Sequence, residues 1–155
     1  MFKLLFAVLL AGAALLPLAS AAQGPLVRFE GGIGVVPVSA GPAPNVVNGV
    51  SPGGQPWVIE RLVADIKTDG RISVAGRGLL LGGGNGIGTN GGQSVRALLF
   101  CGGIAFNSDL VALAPNGDFY IDGMLNAVPP SPCTTPVLLI VNPAPRWFAA
   151  GIPKL

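Results

Sequence analysis

The side chains that could do chemistry in this chain are few. None of its 155 residues is a histidine, which excludes Ser-His-Asp triads, Cys-His pairs and histidine-ligated zinc sites. Two cysteines are too few for an all-cysteine zinc site, and they form no Cys-x-x-Cys redox pair. We therefore expect no metal and no cofactor. What remains is a set of seven carboxylates: Glu30, Glu60, Asp65, Asp69, Asp109, Asp118 and Asp122.

Catalysis by these carboxylates would require two of them to act together on a bond, as in a carbohydrate-active hydrolase. Asp118 and Asp122 flank Tyr120 on one predicted strand, but residues four apart in a strand lie roughly 13 Å apart. That separation exceeds the spacing of glycosidase pairs, so we interpret them as solvated residues of an outer face. A carbohydrate-active hydrolase that uses Glu60 or one of the aspartates remains an alternative.

The stretch GIGTNG matches the pattern G-x-G-x-x-G at Gly86, Gly88 and Gly91. A dinucleotide site needs this loop to open into a helix, whose N-terminus holds the pyrophosphate. The following residues, QSVRALLFCGG, instead alternate in the manner of a strand. We therefore predict a mobile strand-to-strand loop over Gly82–Gly92, with glycine chosen for backbone freedom, and no nucleotide site.

Two sets of side chains could form a binding face. Arginines on neighbouring strands could line up as a patch for an acidic or carbohydrate partner: Arg71, Arg77 and Arg96. Aromatic rings could stack on sugars, which would make the protein a sugar-binding module: Trp57, Tyr120 and Trp147. The alternative for each tryptophan is a place in the core, the commoner fate in a domain of this size.

The first 22 residues, MFKLLFAVLLAGAALLPLASAA, have the organisation of a signal peptide. Lys3 precedes the apolar run Leu4–Leu16, and Ala19-Ser20-Ala21 resembles a cleavage box. The alternative is a membrane anchor, for which about 20 apolar residues are needed, and this run is shorter. We predict a cleaved signal peptide helix over residues 1–21, one domain over residues 22–155, and a secreted or periplasmic protein that no longer contacts the membrane.

Export also bears on the cysteines and the charge. In an oxidising compartment Cys101 and Cys133 are expected to form a disulfide, although two free thiols remain an alternative. Removal of Lys3 with the leader leaves eight cations against seven carboxylates. This near-balance, with no basic run, argues against nucleic acid or anionic membrane as a partner.

Short apolar runs separated by 24 glycines and 15 prolines predict an all-β fold. We expect an antiparallel β-sandwich of about eight strands with long Gly/Pro-rich loops. Residues 26–38 predict two short strands with a glycine break, and Arg146–Ile152 a last strand. Thr68-Asp69-Gly70 predicts a tight turn, which would make a hairpin of Trp57–Lys67 and Arg71–Leu81.

The hairpin pattern recurs 47 residues later in the chain. DGRISVAG (Asp69 to Gly76) aligns with NGDFYIDG (Asn116 to Gly123), and an apolar strand follows each copy after a loop. This predicts two strand–turn–strand–loop–strand units that face each other. Limited turn chemistry, which makes all hairpins look alike, is the alternative explanation.

Three segments carry a resemblance to a known family. They are GQPWVIERLVADIKTDGRISVAGRGLLLGGGNGIGTNGGQSVRALLFC, NGDFYIDGML and WFAAGIPKL. In these segments the chain resembles a family of small exported β-rich bacterial proteins. The resemblance implies a secreted β domain and supplies no catalytic or binding residues.

Together these observations predict a non-enzymatic exported domain that binds a partner or contributes to an assembly. The partner would be an extracellular or periplasmic carbohydrate or protein. The alternatives are the carboxylate-based hydrolase and the sugar-binding module described above.

Overall fold

A computed structural model describes residues 23–38 and 40–155, and in this part of the chain the protein is all-β, with no helix. The predicted signal peptide and its cleavage site lie outside the described residues. Eleven strands follow one another: β1 (Pro25–Gly34), β2 (Trp57–Val58), β3 (Arg61–Lys67), β4 (Arg71–Arg77), β5 (Leu80–Leu81), β6 (Ser94–Cys101), β7 (Ile104–Asn107), β8 (Val111–Ala112), β9 (Phe119–Met124), β10 (Val137–Val141) and β11 (Trp147–Pro153). None of the described residues belongs to a helix long and apolar enough to cross a membrane.

Nearly all of these strands belong to one antiparallel sheet, in the order β7-β6-β10-β11-β1-β3-β4-β9, with β8 also pairing with β6. The sheet is curled into a half-barrel. At one end its two edges come together, because the N–H of Asn126, after β9, donates to the carbonyl of Asn107 at the end of β7 (2.8 Å). The Asn107 N–H in turn donates to Oδ1 of Asn126 (2.8 Å).

The expected sandwich of two separate sheets is not confirmed. The last strand, β11, pairs with β10 on one side and with β1 on the other. These two pairings join the strands that would have formed separate sheets into one hydrogen-bonded surface. Curling of that surface, rather than stacking of two sheets, encloses the core.

The predicted hairpin is confirmed. β3 and β4 pair in continuous register from Ile66↔Ile72 to Arg61↔Arg77. Gly70 takes the positive φ of 88° that the turn requires. Beyond the open end of the hairpin, the segment before β3 and the segment after β4 form a separate two-stranded sheet, in which Trp57 of β2 lies opposite Leu81 of β5. Residues 25–34 form one strand with a register shift between Phe29 and Gly32, where two strands with a glycine break were expected.

The two aligned segments pair with each other side by side instead of facing each other. β4 and β9 are antiparallel neighbours, and the pairing is symmetric about Val74↔Ile121. The strands that follow each copy, β6 and β10, are also antiparallel neighbours. The similarity of the two units does not extend to the strand before each turn. β3, which precedes the first turn, has seven residues, whereas β8, which precedes the second, has two.

The core lies inside the curl of the sheet and buries alternate residues of the central strands. β3 buries Leu62, Ala64 and Ile66, and β4 buries Ile72 and Val74. β6 is buried at every position from Ala97 to Cys101 and β10 at every position from Leu138 to Val141, so these two strands are covered on both faces. On β3 and β4, in contrast, one face points inward and the polar residues face outward.

The predicted disulfide joins Cys101, the last residue of β6, to Cys133, four residues before β10, with 4.8 Å between their Cα atoms. The Gly102 N–H donates to the Thr134 carbonyl (2.7 Å) and continues the β6–β10 pairing past the bridge. The disulfide thus joins the end of β6 to the segment just before β10, and these two strands are already neighbours in the sheet.

Candidate functional site

The three arginines predicted to form a patch lie apart. Arg71 and Arg77 begin and end β4 on its outer face, roughly 20 Å from each other. Arg96 is on β6, and four strands separate β6 from β4 in the sheet. Arg71 donates to the Asp69 carboxylate from both its side chain (3.0 Å) and its backbone N–H (3.2 Å). No common arginine surface is formed.

The three aromatic residues are also separated in their roles. Trp57 and Trp147 are 5% and 4% exposed and belong to the core, whereas Tyr120 is 59% exposed on the outer face. The Trp147 indole donates to the carbonyl of Asn45 (3.0 Å). Tyr120 lies with its hydroxyl 3.4 Å from that of Ser73. A flat stacking platform of three exposed rings is therefore not present.

Most carboxylates have structural partners on the outer face. Glu30 pairs with Lys154 (2.6 Å), and this hydrogen bond and charge lower the pKa of the Glu30 carboxyl below its ordinary value of 4.5. Desolvation works to raise the pKa of Asp69, but the hydrogen bonds and charge of Arg71 lower it overall. Asp118 accepts the N–H of Gly78 (3.1 Å) and thereby links the chain just after β4 to the chain just before β9.

Two aspartates, Asp65 and Asp122, share a cavity of about 340 Å³ on the outer face. Ser73 of β4 lies between them, opposite Asp65 on one side and Asp122 on the other. Asp65 is ion-paired with Arg28 (3.1 Å) and with Lys67 (3.0 Å). Within residues 23–38 and 40–155, Asp122 makes no salt bridge. Of the carboxylates in the described residues, these two come closest to the pair that a carboxylate-based hydrolase would need.

A second cavity, of about 270 Å³, lies where the glycine-rich loop meets β2 and the chain before β11. We call it the amide pocket, after the three amide side chains in its lining. Its lining includes Gln55, Trp57, Gln93, Asn142, Arg146 and Phe148, together with Gly53, Gly54 and Gly91. No carboxylate is among these residues.

An aromatic stack forms the apolar surface of the amide pocket. The rings of Trp57 and Phe148 are stacked with 4.1 Å between centroids and 14° between planes. Gly53 lies against this stack, since a Cβ at that position would be 3.0 Å from the Phe148 ring and 3.3 Å from the Trp57 indole nitrogen. The glycine backbone at Gly53 therefore packs directly on the stack, and only a small part of the two aromatic residues, 5% of Trp57 and 3% of Phe148, is exposed.

A tight turn before β11 forms a second wall. The Asn142 N–H donates to the Arg146 carbonyl (3.0 Å), and the Arg146 N–H donates to Oδ1 of Asn142 (2.9 Å). The Asn142 amide nitrogen lies 3.5 Å from Oε1 of Gln93. The Arg146 backbone is therefore held, while its exposed guanidinium takes part in no salt bridge in the described part of the chain.

The glycine-rich loop forms a third wall, and it is folded back on itself rather than an open connection. Leu81 and Thr89 are joined by a backbone hydrogen bond (2.9 Å), as are Gly88 and Leu81 (2.8 Å). The Asn90 side chain donates to the carbonyls of Leu113 and Ala114 (3.0 and 3.1 Å). A strand, β6, follows the loop, so the helix N-terminus of a dinucleotide site is absent from this position.

The side chains that line the amide pocket can form hydrogen bonds and apolar contacts with a ligand. None of them is an acid, base or nucleophile of the kind that enzymes use. The amides of the pocket offer both donors and acceptors, its guanidinium offers donors only, and the stack offers apolar surface. Trp57 is the one lining residue among the binding residues predicted from the sequence, and none of the polar side chains of the pocket was predicted. Gln93 directly follows the glycine run, and this adjacency was the one local signal that could have indicated it. Among the described residues, no three metal-binding side chains come together as an ion site.

No family model matches this chain, and no curated protein or solved structure is detectably similar to it. The resemblance to exported β-rich proteins therefore stays an expectation from the sequence.

Proposed function

We propose that this protein is an exported, non-enzymatic binding protein whose site is the amide pocket. The observation that carries the proposal is the composition of the pocket: neutral amides and one arginine surround an aromatic stack, with no carboxylate among them. Small-ligand sites combine an apolar surface with a few converging polar groups in this way. The volume, slightly below the usual range for drug-sized ligands, fits a ligand the size of a monosaccharide or an amino acid.

Export is the second part of the proposal. Its support is the leader-like sequence of residues 1–21 together with the disulfide between Cys101 and Cys133. Expression in a bacterium with fractionation of the cells tests it directly. The exported product should begin at Ala22 and weigh two hydrogens less than its fully reduced form. A product that keeps Met1 and stays in the cytoplasm would refute this part.

The pocket is tested by filling it. Gly54 lines the pocket, has ordinary φ, and a Cβ there would meet no other atom, so Gly54→Phe should fold and obstruct the site. Gly123 on β9 has equally open surroundings far along the sheet, so Gly123→Phe is the matched control. Small sugars, sugar acids and amino acids are screened by amide NMR shifts on the exported protein.

We expect the ligands found to shift the signals of Gly91 and Gln93 in the native protein and in Gly123→Phe. Gly54→Phe should lose these shifts and keep a native spectrum. Ligands that shift only residues of the outer face, or binding that survives in Gly54→Phe, would show that the amide pocket is not the site.

The carboxylate-based hydrolase is kept as a second candidate because of the outer cavity. Asp65 and Asp122 lie two strands apart, which corresponds to roughly 10 Å between backbones. That is close to the separation used by inverting glycosidases. The two cations that hold Asp65 argue for a structural role instead. Hydrolysis of a glycan panel that is lost in Asp122→Asn but retained in Asp109→Asn would favour the enzyme.

A further inference from the structure

We infer that the ligand of the amide pocket is a small organic carboxylate bearing hydroxyl or amide groups, bound through its carboxylate by Arg146. This inference rests on the proposed function, since it names the class of ligand for the same site. Beyond the proposed function, it specifies that the ligand is negatively charged, that two of its oxygens face the guanidinium, and that Arg146 is the residue that binds them.

The charge of the lining selects an anion. Arg146 carries the one charged side chain among the lining residues, and no carboxylate neutralises it there. The described salt bridges all involve other residues: Arg28, Lys67, Arg71 and Lys154 supply their cations. A guanidinium that borders a pocket and has no salt-bridge partner among residues 23–38 and 40–155 favours an incoming negative group.

The geometry of the guanidinium favours a group with two adjacent acceptor oxygens. Its donors form a rigid fork that matches carboxylate and phosphate oxygens in a bidentate manner. The side chain projects from a turn whose backbone is fixed by Asn142, and the next residue, Trp147, is bound to Ser51 through its N–H (3.1 Å). Its attachment point is therefore fixed relative to the aromatic stack.

The remaining polar groups select an organic carboxylate over a bare inorganic anion. Gln55 presents both an amide oxygen and an amide nitrogen, and the amide oxygens of Asn142 and Gln93, which already accept from Arg146 and Asn142, each keep a second lone pair. Inorganic phosphate offers mostly acceptor oxygens, which would leave the amide oxygens facing like groups. A carboxylate that also carries hydroxyl or amide hydrogens supplies partners for both kinds of atom.

The test uses matched pairs of probes that differ in the carboxylate. The pairs are D-glucuronate with D-glucose, L-lactate with propane-1,2-diol, and N-acetylglycine with its amide. Dissociation constants are measured by NMR titration on the exported protein and three variants: Arg146→Gln, Arg146→Lys and the surface control Arg77→Gln. Inorganic phosphate is included as a separate probe.

We expect at least one carboxylate to bind more tightly than its neutral counterpart. Arg146→Gln should weaken that carboxylate about ten- to a hundredfold, the usual effect of a hydrogen bond to a charged group. The neutral counterpart should be unaffected, Arg146→Lys should fall between, and Arg77→Gln should match the native protein.

The failures of the two proposals are distinguishable. If Gly54→Phe abolishes ligand binding but each carboxylate binds no better than its neutral counterpart, the pocket stands and the carboxylate inference is wrong. Tighter binding of phosphate than of every carboxylate would also overturn it. If carboxylates bind equally well to Gly54→Phe, the site itself is elsewhere and both proposals fail.

Discussion

Removing the disulfide should destabilise the protein mainly through its unfolded state. Cys101 and Cys133 are 32 residues apart in sequence, and the closed loop contains β7, β8 and β9. Loop-closure entropy for that length is worth about 3–4 kcal/mol. The folded state keeps its local contacts, because β10 pairs with β6 at five successive positions beside the bridge. For a domain of this size we expect a loss of roughly 10–15 °C in the unfolding temperature.

The assay is urea unfolding of the purified, disulfide-bonded protein, compared with the double variant Cys101→Ala/Cys133→Ser. The variant should unfold at lower urea with a steeper slope, since its unfolded chain is more expanded. The reduced native chain is the control and should behave like the variant. A loss below about 1 kcal/mol with an unchanged slope would refute the loop-entropy reasoning. A loss well above about 4 kcal/mol would show that the bridge holds the β6–β10 pairing itself.

Two further predictions concern close packing and charge. Gly34→Ala should lower the free energy of unfolding by about 1–3 kcal/mol, because the new Cβ would lie 2.0 Å from the Trp57 carbonyl oxygen. Gly24→Ala, where a Cβ would meet no other atom, is the control and should leave the thermal unfolding curve unchanged. Lys154→Gln should raise the pKa of Glu30 towards 4.5, as followed by carboxyl NMR titration, and an unchanged midpoint would contradict the pairing. Because that pKa is lowered by folding, the stabilisation is present above pH 4.5 and is lost as the pH falls through the folded-state value.

Local features of the fold were predictable from the sequence. The β3–β4 hairpin follows from alternation around a turn glycine, and the disulfide follows from a chain with two cysteines. The single sheet was not predictable, since it depends on the last strand lying between β10 and the first strand. Such pairings join distant parts of the chain, and no local period indicates which strands become neighbours.

The site residues were missed for a related reason. Sequence reasoning chose arginines and aromatics on strands, where alternation places them on a face. The polar lining of the amide pocket comes instead from loops and a turn, at Gln55, Gln93, Asn142 and Arg146. Loop positions have no period, so an amide that lines a cavity looks the same in sequence as one in solvent.

The glycines of this chain have a second role besides backbone freedom. At Gly91, where φ is 57°, a Cβ would also lie 3.5 Å from the Trp57 ring. At Gly53 it would touch both rings of the stack. A side chain at Gly53 would thus collide with the stack, and one at Gly91 would add a contact beside Trp57. The composition typical of connecting loops is therefore also what lets the loop backbone pack directly on the stack, and in our proposal the side chains that would contact a ligand lie in these loops and not in the long strands of the half-barrel.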